Sequence, residues 1–490
     1  MSNEAAISTS PASISGTSTR VPIVDPSHAA AKRWVLALTS AASFIVILDA
    51  MVVATALSAI RQELGASIEA LEWTVNAYNL SFAVLLLTGA ALGDRFGRKR
   101  IFGCGLALFI AASAACALAG NVYWLIAARA LQGAGAALVM PLAMALLSVA
   151  YPPQERCKAL GIYSGLIGLA LIAGPVVGGA IVEGLSWQWI FWINLPLGLI
   201  VIALIRLRIT ESFGPGGRID YAGVAMVTGA ALGIVWGLMR GNRAGWTSPE
   251  VLGALAAGAL LAIAFIRFEL RAREPMAPMR FFASRSFSSA IGASFLFYAA
   301  MYGTLFLLPQ FLQTTQGYGP FGAGLRLLPW TATLFVVAPI AGGLVNRLGE
   351  RTLAVCGLAL QAAGMIWIAL VATPDMAYAK LVLPLIIAGS GVSMAMPAAQ
   401  NAAIGAVATT EIGKASGIFN MFRFLGGVSG IAVLVAVFSE TGSFASATAF
   451  SDGFVPALGI AALLSLAAAI AGFGLPGRAS AGTAGVLARP

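Results

Sequence analysis

From about residue 34 to residue 474 the chain alternates long apolar runs with short polar breaks. The runs lie near 34–60, 73–93, 101–120, 122–148, 159–182, 189–205, 221–239, 251–266, 288–312, 328–345, 353–372, 381–404, 415–439 and 453–474. Most approach or exceed the roughly 20 apolar residues that cross a bilayer core as a helix. The pattern predicts an all-α integral membrane protein of fourteen spans, with twelve as the alternative count because several runs are short. Residues 1–33 are rich in Ser, Ala and Thr and carry little charge, which predicts a disordered tail. A signal peptide would place a short apolar core near the start. Here the first run begins late and is long enough to stay as a helix.

Charge placement tests the count. Of 29 Lys and Arg residues, 22 fall on one side if both termini are cytoplasmic; Arg61, Arg240, Arg243, Arg326 and Lys380 fall on the other, and Arg129 and Arg423 lie within spans. That asymmetry obeys the positive-inside rule and would be scrambled by one false span in the middle. The net charge of +10 is thus spent on orientation, which argues against a nucleic-acid partner. Composition agrees: 59% of residues are hydrophobic and 10% charged, against about 25% charged in soluble domains. The 56 glycines suit closely packed membrane helices. Cys104, Cys116, Cys157 and Cys356 show no CxxC spacing and read as small buried hydrophobes. No metal site or catalytic site is expected: the single histidine, His28, is in the tail. No phosphate loop for an ATP-driven pump occurs either.

The chain repeats itself. ALGDRFGRKRIF (91–102) follows the second span and GLVNRLGERTLAV (343–355) the tenth, so Asp94 aligns with Asn346, Arg95 with Arg347 and Gly97 with Gly349. Six-helix repeats are a transporter architecture with the substrate site between the halves. The expected organisation is a cytoplasmic tail (1–33), a six-helix half (34–208), two linking helices (209–280), a second six-helix half (281–474) and a second tail (475–490).

One charge stands out. Asp49 sits past the middle of the 27-residue run Trp34–Ile60 and is the only carboxylate this reading places inside a span. A charge there costs roughly 2.5–3.5 kcal/mol on insertion scales, so it marks a functional site, and carrying a proton is the obvious job. Arg129 lies about 10 Å inside its span and Asp49 about 16 Å from the same side, at roughly 1.5 Å per residue. The two can meet if their helices adjoin.

Four segments carry a family resemblance: the loop GDRFGRKR (Gly93–Arg100), LIAARALQGAGAA (Leu125–Ala137), AGPVVGG (Ala173–Gly179) and SWQWIFWINLPLG (Ser186–Gly198). Together they resemble the major facilitator superfamily, specifically the EmrB/QacA-type fourteen-span drug:proton antiporters. The resemblance implies a major facilitator fold of two six-helix halves plus two extra linking helices. It implies proton coupling through Asp49 and Arg129. It implies a conformational latch of Asp94, Arg95, Gly97, Arg98 and Lys99 that holds the two halves in the outward-open state, with the N-terminal end of the thirteenth helix near Ala415–Gly417 as partner for Asp94. It implies an antiporter motif of Gly174, Pro175, Gly178 and Gly179. The first span departs from the family pattern, with Met51, Ala54 and Ser58 where Thr, Asn and Pro are usual. Ala90 replaces a usual Gly.

Asn76, Tyr78, Tyr298, Tyr302, Phe306, Gln310, Gln400, Asn401, Asn420 and Arg423 are the candidate substrate-cavity residues, an aromatic and polar wall suited to flat amphipathic molecules. Arg423 could equally anchor neighbouring carbonyls. The expected function is proton-coupled export of small amphipathic drugs or metabolites across the cytoplasmic membrane, with no cofactor beyond the coupling proton. Export of one endogenous metabolite or antibiotic, monovalent-cation exchange and proton-coupled import remain as alternatives. Expected partners are a small-molecule substrate, protons and lipid; a single-chain state is possible, with further envelope partners left open.

Overall fold

The computed structural model describes residues 26–214, 220–272, 275–408 and 411–477, all helix and connecting loop. Fourteen helices among them are long and apolar enough to cross a membrane. They are α1 (Pro26–Leu64), α2 (Ile68–Phe96), α3 (Arg98–Ala117), α4 (Val122–Ala150), α5 (Pro153–Gly184), α6 (Trp189–Arg208) and α7 (Tyr221–Ala244). There follow α8 (Pro249–Glu269), α9 (Arg285–Thr314), α10 (Pro320–Val345), α11 (Glu350–Val371), α12 (Ala379–Gly405), α13 (Ile412–Thr441) and α14 (Ala447–Gly472).

Local chemistry starts these helices where the sequence breaks. The side chains of Ser67, Asn121, Asp220, Ser248, Ser284 and Ser446 each accept a hydrogen bond from the backbone N–H three residues on. Each satisfies one donor that a helix start leaves without an intrahelical partner. Pro153, Pro249 and Pro320 occupy first-turn positions, where a missing N–H costs nothing. The helices run past the apolar runs at both ends: α1 begins at Pro26, inside the predicted tail, and α2 begins at Ile68 rather than 73. The remainder of the tail, 1–25, and residues 478–490 lie outside the described residues.

α1–α6 pack into one bundle and α9–α14 into another. α7 and α8 pack on each other, and α7 lies along the seam between α2 and α13. There Leu80 and Val84 of α2, Ala231, Val235 and Met239 of α7, and Val428 and Ala432 of α13 bury one another. The linking pair therefore covers the junction of the bundles.

The repeat is visible in the backbone. Gly97 and Gly349 both have positive φ, +103° and +83°, a conformation that costs a residue with a Cβ. Each N–H closes the preceding helix, onto Gly93 and Val345 carbonyls respectively, and each precedes the next helix directly. The segment after the sixth helix of each bundle then clasps this turn. In the first, Arg98 N–H donates to the Ser212 carbonyl and Gly214 N–H to the Asp94 carbonyl. In the second, Arg351 N–H donates to the Pro476 carbonyl and its Nε to that of Leu475.

The bundles meet along α2 and α13 and at one end of α5 and α10. A Cβ at Gly179 would strike the Pro320 carbonyl, and one at Gly324 the Pro175 carbonyl. Following the same face of α5 toward its other end, Gly168 has only Leu334 nearby, at 3.7 Å from an added Cβ, while Gly165 and Gly161 meet nothing within 4 Å. α5 and α10 thus touch on the face opposite the α2–α3 turn and diverge toward it. Gln313 Nε2 of α9 adds a 3.1 Å bond to the Thr55 carbonyl of α1 at the closed end.

Candidate functional site

Asp49 and Arg129 meet in the middle of the first bundle. Arg129 Nη1 donates to Asp49 Oδ2 at 2.5 Å, and the two residues are 1% and 2% exposed respectively. The other carboxylate oxygen, Oδ1, accepts from Gln132 Nε2 at 2.9 Å and from Asn194 Nδ2 at 2.8 Å. Gln132 Oε1 in turn accepts from Arg129 Nη1 at 2.6 Å and from the Cys116 thiol at 3.6 Å. Asn194 Nδ2 also donates to Ser113 Oγ, which donates onward to the Phe191 carbonyl. Arg129 Nε reaches the Thr74 carbonyl at 3.3 Å, and its guanidinium lies 4.2 Å from the centre of the Tyr78 ring. The Tyr78 hydroxyl donates to the Val46 carbonyl, back on α1. Gln132, Asn194 and Tyr78 thus touch the ion pair and are each held by a further neighbour, Cys116, Ser113 and the Val46 carbonyl.

Helix geometry explains the convergence. Arg129 and Gln132 are three residues apart on α4 and share a face. Asn194 comes from α6 at the point where that helix breaks between Trp192 and Asn194, two residues before Pro196, which cannot supply an N–H. Gly133 and Gly135 seat α4 closely: an added Cβ at Gly133 would strike the Tyr78 carbonyl, and one at Gly135 would lie 2.6 Å from the Phe109 backbone nitrogen. A carboxylate–guanidinium pair removed from water is favourable only when its remaining oxygens and N–H groups are satisfied. Here they are.

Gln132 and Asn194 stand inside the two motif segments, yet nothing in their spacing marks them as carboxylate ligands; only the fold brings 49, 132 and 194 together. The expectation that Asp49 is the sole carboxylate within a span is incorrect. Glu72, one turn into α2, is 1% exposed, because α2 starts five residues before its apolar run. The reading of the cysteines also needs correction: Cys116 is buried, but Cys104 and Cys356 are exposed on the outer surface of the bundles, and the Cys157 side chain lies outside the described residues.

The turn between α2 and α3 is tied to its own bundle. Asp94 Oδ1 accepts from Arg98 Nε at 2.8 Å, whereas no hydrogen bond joins its carboxylate to Ala415–Gly417 among the described residues. Arg95 lies over the ring of Phe96, and Lys99 Nζ donates to the Arg206 carbonyl. Glu211, a residue with no sequence signal, receives the N–H groups of Lys99 and Arg100 at the start of α3, where the helix dipole favours an anion.

The α5 motif divides between two faces. Gly174 and Gly178, four residues apart, seat α5 against Met51, Val52 and Thr55 of α1. Pro175 and Gly179, one residue further round, face α10. The motif therefore lets one helix approach a neighbour in each bundle.

Of the cavity candidates, Tyr78 belongs to the Arg129 cluster and Asn76 donates to Glu72 Oε1 at 3.4 Å. Tyr298, Tyr302 and Arg423 are brought together, with the Arg423 guanidinium 4.7 Å from the Tyr298 ring centre. Phe306 and Gln310 are buried further along α9, Gln310 bonding its own helix at the Phe306 carbonyl. Asn420 bonds its own helix at Ser416, while Gln400 is half-buried and Asn401 exposed on α12. A chain of rings crosses the junction: Tyr78 to Phe82 (6.2 Å), Phe82 to Phe424 (4.3 Å), Phe424 to Tyr302 (6.4 Å) and Tyr302 to Tyr298 (6.1 Å). Arg129 caps one end and Arg423 the other.

The two polar cores differ in saturation. Around Asp49 both carboxylate oxygens and the amide groups that face them are paired. In the second bundle Tyr298 Oη, Ser294 Oγ, Gln310 Oε1, both amide atoms of Gln361 and Arg423 Nε are buried without a hydrogen-bond partner. Buried polar atoms without partners are uncommon and call for a ligand or water.

Known proteins resemble this chain in sequence or in fold. The multidrug resistance protein Stp of Mycobacterium tuberculosis is 34% identical over 404 residues, covering 82% of this chain and 75% of that one. The tetracenomycin C resistance and export protein of Streptomyces glaucescens is 35% identical over 392 residues, covering 80% and 73%. The methylenomycin A resistance protein of Bacillus subtilis is 32% identical over 387 residues, covering 79% and 83%. Among solved structures, a POT family transporter in complex with a thioalcohol-conjugated peptide superposes with a TM-score of 0.68 at 17% identity, over 90% of this chain and 95% of that one. A D-xylose–proton symporter superposes with a TM-score of 0.64 at 16% identity, over 91% and 98%. The sequence profile of the Major Facilitator Superfamily matches residues 39–431, a stretch running from the first helix through the ion pair, the clasped turn and the motif of α5 into α13. With fourteen membrane-length helices, twelve of them in two bundles of six, and relatives above 30% identity over most of its length, this chain belongs to the major facilitator superfamily.

Proposed function

We propose that the chain is a proton-coupled antiporter that exports small amphipathic drugs or metabolites across the cytoplasmic membrane. The observation that carries this reading is the buried Asp49–Arg129 pair, with both carboxylate oxygens hydrogen-bonded, at the centre of one bundle. The names of the relatives, which speak of multidrug and antibiotic resistance and export, support the direction of transport.

Both termini are cytoplasmic in this reading, because the α2–α3 turn and the other Lys- and Arg-rich loops then lie inside. The divergence of α5 from α10 then faces the cytoplasm, and the closed end faces outward. A substrate enters from the inner side and meets the unpaired groups of the second bundle, Tyr298, Ser294, Gln310, Gln361 and Arg423. Opening to the outside separates the carboxylate of Asp49 from the guanidinium of Arg129, and a carboxylate stripped of its cation takes up a proton. Closure restores the pair and releases the proton inward.

The arithmetic is adequate. One charge crossing about 100 mV supplies roughly 2.3 kcal/mol. That sustains about a 50-fold gradient of a neutral substrate, and each pH unit multiplies it by about ten. Everted vesicles from a strain without its own efflux pumps, loaded with a pH gradient and challenged with dyes, quaternary ammoniums and antibiotics, test the reading. Wild type accumulates at least one compound only when the gradient is present, and Asp49→Asn does not. Undiminished pH-driven uptake by Asp49→Asn overturns the proton role. Gradient-driven exchange of sodium or potassium, with no uptake of the organic compounds, favours a monovalent-cation/proton antiporter.

A further inference from the structure

Glu72 lies outside the Asp49 cluster, and the mechanism above does not use it. Its side chain is buried, 1% exposed, at the outer end of α2. It lines a cavity of about 370 Å³ whose other walls are Ser67, the cap of α2, Ile68 and Glu69 of α2, Met239 of α7, and Ala432, Val435, Ala436 and Ser439 of α13. Oε1 receives one long bond, from Asn76 Nδ2 at 3.4 Å. Oε2 has no hydrogen-bond partner and Glu72 no cationic partner among the described residues. Asn76 Oδ1, one turn deeper, is likewise buried and unpartnered.

Among the described residues, no charge on the three helices that wall the cavity pairs with Glu72. On α2 the neighbour is Glu69, a second carboxylate. On α7 it is Arg240, which is already bonded to Glu250 of α8 at 3.0 Å. On α13 it is Glu440, next to Ser439 and again acidic. An isolated buried carboxylate is too costly to stay charged; it takes a proton or a cation. The walls are carboxyl, hydroxyl and apolar, without the several converging oxygen ligands that a hard metal ion requires. That choice favours the proton.

We propose that Glu72 is a second proton-binding site, loaded when the outer end of the junction closes. The cavity is shared by α2, α7 and α13, so its walls come from both bundles and from the linking pair. Parting α2 from α13 lets water reach the carboxyl group and allows it to ionise. Closing the junction again removes that water, and the proton must be regained first. Lower pH therefore favours the closed outer end, by at most tenfold in the closed-to-open ratio per pH unit for one proton. This extends the proton-coupled reading to a second site and fails separately from it, since Asp49 can couple transport without Glu72.

Spin labels on Leu185 and Phe321, exposed on either side of the α5–α10 contact, report closure by their distance distribution in lipid nanodiscs. In the Asp49→Asn background the closed fraction should rise as pH falls, with up to a tenfold change in ratio per pH unit. In Asp49→Asn/Glu72→Gln it should be high and independent of pH over the same range. Equal pH dependence in both proteins overturns the proposal, as does closure driven by sodium at fixed pH. Infrared spectra give a check that does not require Glu72→Gln to fold: Asp49→Asn protein should retain a protonated-carboxyl band at neutral pH. Its absence overturns the proposal too.

Discussion

Arg129 holds Asp49 from α4 by a single 2.5 Å hydrogen bond, while Gln132, one turn along the same helix, bonds both partners. The ion pair is therefore embedded in a set of polar groups that must move together. Removing one member of a buried pair leaves the other uncompensated, at about 3–5 kcal/mol. Asp49→Asn and Arg129→Ala should each lower thermal stability in detergent by that order. The double variant Asp49→Asn/Arg129→Gln should recover much of the stability and none of the pH-driven transport. Recovery of transport in the double variant would remove the pair from the coupling step.

Gln132 and Asn194 position the carboxylate without exchanging a proton themselves. Gln132→Leu and Asn194→Leu each delete a bond to a charged group worth about 1.5–3 kcal/mol. The pH at which transport is half-maximal should shift in both, while Gln132→Glu should shift it in a further, distinct way by adding a charge beside Asp49. A merely structural role would lower the amount of folded protein and leave that midpoint in place.

Gly179 and Gly324 allow α5 and α10 to touch at the closed end. Overpacking a tight contact costs about 1–3 kcal/mol. Gly179→Val and Gly324→Val should therefore favour the arrangement in which this end is apart, slowing transport while leaving expression near normal. Gly165→Val, on the same face where nothing lies within 4 Å, should be far milder. Distances between spin labels across the two helices separate these outcomes.

Glu211 caps α3 by receiving the N–H groups of Lys99 and Arg100. A carboxylate at a helix start contributes about 0.3–1 kcal/mol. Glu211→Gln should cost that much in thermal stability, and Glu211→Lys more. Hydrogen exchange of the first turn of α3 should rise in both.

Phe82 and Phe424 meet across the junction with ring centres 4.3 Å apart and planes tilted by 52°, in the middle of the ring chain from Arg129 to Arg423. Such pairs are worth about 0.5–1.5 kcal/mol beyond burial. A double-mutant cycle with Phe82→Leu and Phe424→Leu, read out as substrate affinity against pH, should show coupling of that size. Additive effects would mean that the two bundles communicate by another route.

Much of the fold was legible locally. Ser67, Asn121, Ser248 and Ser446 mark helix starts because a side-chain oxygen needs only its own next turn to cap a helix. Gly97 and Gly349 reveal the repeat because the same turn requires the same backbone. Helix ends were less legible: α1 and α2 extend beyond their apolar runs, and the five extra residues of α2 bury Glu72. Burial of that carboxyl is decided by α7 and α13, which are over 150 residues away in sequence. In this arrangement Asp94 bonds Arg98, and the turn is clasped by Glu211 and Ser212, which carry no sequence signal; the contact of Asp94 with α13 is an expectation for the outward-open state.

The sequence by itself determined a membrane protein of fourteen spans, its repeat, and the presence of one acid and one arginine that had to find each other. Those conclusions follow from solvation, since apolar length and the cost of a buried charge are properties of residues in lipid and not of their neighbours. Only the tertiary structure decided who completes the Asp49 site, where α5 meets α10 and which polar atoms are left unpaired. Hydrogen bonds between side chains 80 to 145 positions apart, as those of Asp49 to Arg129 and Asn194 are, depend on which helices become neighbours and how each is turned. No spacing along the chain encodes that.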